Sequence, residues 1–185
     1  MKRTLSLALL LCFAAVSAAS ARQVGGVTLP DTASVEGKTL KLNGAGLRTK
    51  VVFKVYVAGL YLETPSKDAA TVISSDQVKR MHLSILRSLD RSKITEAISE
   101  GFEKNSKSQL PALKARLDRL NSMIPNVEKG DQILLTYVPG RGTVVSAKNV
   151  ETGVIEGKDF ADALFSVWLG ANPVQPDLKK GLLGA

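Results

Sequence analysis

Arg48, Lys54 and Tyr56 are the side chains best placed to do chemistry. They stand in and just before the run FKVYVAGLYLE at residues 53–63, whose other positions are almost all apolar. Read as one unbroken strand from 48 to 62, the run puts Phe53, Val55, Val57 and Tyr61 on one face and Arg48, Lys50, Lys54 and Tyr56 on the other. A cation removed from water needs a partner. A cationic face with a tyrosine, bordered by Val52, Ala58 and Leu60, therefore fits two arrangements. Either the lysines face solvent while Tyr56 shields the sheet, or the face receives an amphipathic ligand with an anionic head.

Other chemistries have few residues to build on. The single histidine, His82, has no neighbouring Asp or Glu in sequence, too little for a zinc site, so no metal or cofactor is expected. Glu96, Glu100 and Glu103 share a helical stretch with lysines and read as a solvated face. Gly44-x-Gly46 in NGAGLR lacks a third glycine in register and a following helix, and reads as a connection between strands, not a phosphate loop. Lys114, Arg116 and Arg119 make one helix basic, but aromatics are only 5% of the chain and no nucleic-acid motif is present. No nucleic-acid partner is expected.

The elements that must position Arg48 and Tyr56 follow from periodicity. VGGVTLP and GKTLKLNG read as two short strands before the long central one. SKDAATVISS predicts a short helix. Then Met81, Leu83 and Ile85 alternate with Arg80, His82 and Ser84, the period of a half-buried strand. Asp90 can cap a helix whose apolar stripe is Ile94, Ala97, Ile98, Gly101 and Phe102. A second helix from about Pro111 carries Leu113, Leu117, Leu120 and Ile124. Residues 131–150 read as a hairpin about Pro139–Gly142, and ETG at 151–153 as a turn. Phe160, Ala163, Leu164, Val167 and Trp168 mark a further helix ending at Gly170, and a last short one starts at Pro176. Strands, helices, a hairpin and helices again, without regular βαβ alternation, predict an α+β fold: an antiparallel sheet with helices on a face.

The N-terminus reads as a secretory signal peptide over residues 1–21: Lys2 and Arg3, an apolar run from Leu5 to Val16, and the small-residue site Ala19-Ser20-Ala21. The run is too short to span a bilayer. Cleavage after Ala21 leaves 164 of the 185 residues, 22–185, as one domain with no stable membrane anchor, in the periplasm or secreted. The only cysteine, Cys12, leaves with the signal, which excludes disulfides, thiolate metal sites and a cysteine nucleophile. Losing Lys2 and Arg3 from 25 basic residues leaves 23 against 17 acidic, a net charge of +6 that favours anionic partners without naming one.

LNGAGLRTKVVFKVYVAGLYLE, at residues 42–63, together with NPVQPDLKKGLLG at 172–184, resembles the chalcone isomerase-like family, and the order of elements between them fits over most of 24–183. The resemblance implies an open-faced β-sandwich, a large antiparallel sheet covered by helices. Between the two layers lies a cleft that holds a flavonoid in the plant enzymes or a fatty acid in non-catalytic members. It also implies that Arg48 stands where the ligand-contacting arginine of both groups lies; Tyr56 and Lys54, which the strand reading puts on the same face, are the further ligand-binding candidates. The enzymes' other polar positions fall on Tyr56, Asp90, Ala97 and Val167, which replace their threonine, tyrosine, asparagine and second threonine. Arg48 alone supplies only part of what a cyclisation needs. The expected function is therefore binding of a fatty acid or similar amphipathic anion without catalysis. The alternatives are an isomerase acting on a chalcone-like substrate and a partner-binding or structural role.

Overall fold

The computed structural model describes residues 21–185, so the predicted signal segment lies almost wholly outside the described residues. β1 (Ala21–Val24) and β2 (Val27–Pro30) form a small hairpin. VGGVTLP thus holds a turn between two strands where one strand was expected. Gly25 and Gly26, with φ of +59° and +90°, supply the backbone that the turn needs.

Seven antiparallel strands then make the main sheet in simple chain order: β3 (Thr32–Val35), β4 (Lys38–Lys50), β5 (Phe53–Leu62), β6 (Lys79–Ile85), β7 (Gln132–Val138), β8 (Gly142–Ala147) and β9 (Val150–Ile155). α1 (Ala69–Ser74) lies between β5 and β6. α2 (Arg91–Asn105) and α3 (Leu110–Met123) lie between β6 and β7, and α4 (Lys158–Leu169) and α5 (Pro176–Leu182) close the chain. This is the α+β, open-faced arrangement the sequence led to expect.

Two further expectations fail. The single strand 48–63 is a hairpin that turns at Val51-Val52 between β4 and β5. The ETG turn is part of β9, because the chain turns earlier, at Lys148 and Asn149, both at positive φ.

The core lies between the sheet and the helices. Ala58, Leu60 and Leu62 of β5 and Met81, Leu83 and Ile85 of β6 pack there against Ile98 and Phe102 of α2, Leu117 and Leu120 of α3, and Phe160, Leu164 and Val167 of α4. On the other face, the β1–β2 hairpin covers Ala45 and Val57 with Leu29, Val24 and Val27. α5 packs directly on β4, where a Cβ at Gly44 would collide with the carbonyl oxygens of Gly181 and, at 2.5 Å, Leu182. Gly44 and Gly46, which read as a strand connection, are therefore places where a helix approaches strand backbone.

Lys79 is completely buried under α1. Its Nζ donates to the carbonyls of Val72 at 3.0 Å and Ser75 at 3.1 Å, capping that helix, and lies 3.6 Å from Asp162 and 5.3 Å from the Phe165 ring centroid. Burial lowers its pKa to about 8, with the Asp162 carboxylate opposing the shift.

Candidate functional site

A cavity of about 490 Å³ opens between the sheet and the helices. That volume is within the roughly 300–1,000 Å³ typical of small-molecule sites. The sheet contributes Val55 and Tyr56 of β5, Leu83 and Ile85 of β6 and Ile133 of β7. α2 contributes Ile94, Ala97 and Ile98, and Val167 and Trp168 of α4 close the opposite side with Val174. The α2 residues recur at i, i+3 and i+4, so the stripe that buries this helix also walls the cavity.

Arg48 of β4 and Tyr56 of β5 are polar residues that the sheet contributes beside these apolar walls. Arg48 and Tyr56 are direct cross-strand partners in the β4–β5 hairpin and share its helix-facing side. Arg48 is held from behind: its Nη1 donates to Gln175 Oε1 at 3.1 Å and to the carbonyl of Thr49. Gln175 Oε1 also accepts from the backbone N–H of Thr49 at 3.0 Å, tying the end of β4 to the chain entering α5. Both Nη1 hydrogens are thus used, the guanidinium also lies within hydrogen-bonding reach of the Tyr56 hydroxyl, and its remaining N–H groups are the donors a carboxylate can take.

The Tyr56 oxygen accepts from Trp168 Nε1 at 3.0 Å, and among the described residues no protein acceptor takes its own proton. Burial raises the Tyr56 pKa, opposed by the Trp168 hydrogen bond and by the charge and hydrogen bond of Arg48, so it is a neutral phenol with a free donor. Around the mouth stand Lys50, Arg87 and Lys93, with Asp90 as the acidic member. The Arg87 guanidinium sits 4.5 Å over the Phe53 ring.

Lys54 lies elsewhere. It is exposed and does not line the cavity, contrary to the unbroken-strand reading. The reason is a β-bulge between Arg48 and Thr49: Arg48 pairs with Tyr56 but Thr49 pairs with Lys54, leaving Val55 as the extra residue. The extra residue reverses the alternation, so Lys54 goes with Thr49 to the other face, while Phe53 joins Lys50 on the cavity side.

Every position carried over from the family resemblance lines this cavity: Arg48, Tyr56, Asp90, Ala97 and Val167. Sequence reasoning missed Trp168 and Gln175, which orient Tyr56 and Arg48. Their signals were the single tryptophan of the chain and the glutamine within NPVQPDLKK. His82 lies across the sheet from the helices, its ring 6.3 Å from that of Tyr61. No group of three or more His, Cys, Asp or Glu that could hold a metal occurs among the described residues.

Residues 21–184 match the chalcone isomerase-like family over nearly the whole described chain. The chain belongs to the chalcone isomerase-like family. Among solved structures, the Arabidopsis thaliana fatty-acid binding protein AtFAP1 superposes with a TM-score of 0.66 at 18% sequence identity, covering 85% of this chain and 92% of its own. At that identity the likeness establishes the fold. A comparison with curated protein sequences finds no match.

Proposed function

We propose that this chalcone isomerase-like chain is an exported, non-catalytic binding protein for a fatty acid or similar amphipathic anion. The observation that carries the proposal is a cavity with apolar walls and two oriented donors on one side, the open edge of Arg48 and the free hydroxyl of Tyr56. An acyl chain fits the walls and a carboxylate fits the donors. The superposing plant protein is a fatty-acid binding protein, which agrees with this reading. Ala97 and Val167 are hydrocarbon positions on the cavity wall, and Asp90 would repel a phenolate, so the polar network for a cyclisation is thin.

Calorimetry with C12 to C18 carboxylates tests the binding, with the C12 alcohol as control. Carboxylates are expected to bind and the alcohol to bind more weakly; absence of carboxylate binding overturns the proposal. Incubation with naringenin chalcone is expected to yield racemic flavanone at the buffer rate. An enantiomeric excess that vanishes in Arg48→Ala would replace the binding protein with an enzyme. Export is tested by the intact mass of the protein recovered outside the cytoplasm, which should begin at Arg22.

A further inference from the structure

The β4–β5 turn is made of residues that turns avoid. Lys50 and Phe53 pair across it and Val51-Val52 form its tip, where two-residue loops favour Gly, Asn or Asp. Val51 has a φ of +57°, a region that β-branched side chains rarely occupy. Both valines also project into solvent. Val51, Val52 and Phe53 are 90%, 80% and 55% exposed, so three of the four strongly exposed large apolar residues among the described residues are consecutive, the fourth being Val150.

Cations border this tip. Lys50 and Lys54 flank it along the chain and Arg87 covers the Phe53 ring. None of the three forms an ion pair among the described residues. The acidic groups nearby are Asp90 at the cavity mouth, Glu96, which is paired with Lys93 at 3.5 Å, and Glu100, which is bonded to Lys104 and feels the charges of Lys50 and Arg48. Lys50, Val51 and Phe53 are also lining residues, so the tip is part of the cavity mouth.

We propose that this hairpin tip docks on an anionic lipid bilayer. Val51, Val52 and Phe53 enter the interfacial layer while Lys50, Lys54 and Arg87 meet the anionic headgroups, which sets the cavity mouth against the lipid. An apolar tip ringed by unpaired cations matches such a surface in both hydropathy and charge. An amphipathic ligand then moves between bilayer and cavity without crossing bulk water; this last consequence rests on the binding function proposed above, whereas the docking does not.

The test uses residues 21–185, the unit that spans the family match and carries every described element, so that the apolar run Leu5–Val16 cannot supply the binding. Sedimentation with phosphatidylcholine vesicles containing roughly one third phosphatidylglycerol is expected to show binding at least ten-fold stronger than with pure phosphatidylcholine, weakening as salt rises. Lys54→Ala should cost about five-fold, the contribution of one basic residue near an anionic surface. Val52→Asp should abolish binding. Val51→Gly should weaken binding while the melting temperature holds or rises, since glycine adopts the positive φ freely; a loss of docking then has no origin in misfolding. Affinity for free laurate in solution should be unchanged in Val52→Asp and Lys54→Ala, which separates failure of docking from failure of ligand binding. Equal binding to neutral and anionic vesicles, or wild-type binding by Val52→Asp, overturns the proposal. So does a wild-type protein that ignores vesicles but self-associates through a contact that Val52→Asp dissolves.

Discussion

Replacing Arg48 with alanine should weaken binding of a long-chain carboxylate by about 1.5–3 kcal/mol, the value of a charge-assisted hydrogen-bonded contact. In affinity this is roughly a 10- to 150-fold loss. The figure follows from the donors available. Nη1 is committed to Gln175 and Thr49, so a carboxylate takes the remaining guanidinium donors, beside the Tyr56 hydroxyl that Arg48 also approaches. The guanidinium is already oriented by Gln175, so little ordering is charged against the contact. Arg48→Lys keeps the charge but presents a point donor, and should recover only part of the loss. Gln175→Ala leaves Arg48 in place with the Thr49 carbonyl as its remaining backbone anchor, and should fall between wild type and Arg48→Ala. Isothermal calorimetry across the C12 to C18 acids measures all three variants, with the C12 alcohol as reference because its binding should hardly respond to Arg48→Ala. Equal affinity for laurate in wild type and Arg48→Ala refutes the carboxylate contact. Full recovery by Arg48→Lys would leave the charge and refute a contact through several guanidinium donors.

Gly44→Ala forces a methyl group against the carbonyls of Gly181 and Leu182 and should lower stability by about 3 kcal/mol, at the upper end of overpacking costs, or roughly 6–12 °C in melting temperature. A variant that melts with wild type would show that α5 is free to shift away from β4. His82 has its pKa lowered from 6.5 to about 4, first by burial and then by the Arg80 charge. Between those values the unfolded chain takes up a proton that the folded chain refuses, so this contribution to stability is present above pH 6.5 and is lost as the pH falls through 4. Because His82 is partly exposed, about 1–2 kcal/mol is expected after allowing for solvent screening. Urea melts at pH 7 and 4.5 should therefore show a smaller acid loss for His82→Gln than for wild type, and equal losses would place the sensitivity elsewhere.

Periodicity made much of the fold legible. The alternation in VKRMHLSILR places Met81, Leu83 and Ile85 in the core and leaves Arg80, His82 and Ser84 on the other face, as observed. The apolar stripes of α2, α3 and α4 include buried residues of each helix, Ile98 and Phe102, Leu117 and Leu120, and Phe160 and Leu164 among them, and Pro111 and Pro176 lie in the first turns of α3 and α5. In each case the signal is local: one face must leave water, and its spacing names the element. Arg48 and Tyr56 were legible through the family motif around them, and both line the cavity.

The sequence by itself determined most of the segments that become strands or bury a helical face, because hydropathy at period 2 or 3.6 depends on neighbouring residues alone. Only the tertiary structure decided where β4 ends and which way Lys54 points. Val51-Val52 carries none of the usual turn chemistry, and the turn there is made by pairing of β4 with β5 over many residues. The bulge that reverses Lys54 arises from register, which is a property of two strands together. The same holds for the support of the site. Trp168 lies 112 residues from Tyr56 and Gln175 lies 127 from Arg48, so their hydrogen bonds exist only once α4 and the chain entering α5 have packed on the sheet. The close approach of α5 to Gly44 and the burial of Lys79 beneath α1 were hidden for the same reason: a glycine's bare face and a lysine's partners are set by what the completed fold brings against them.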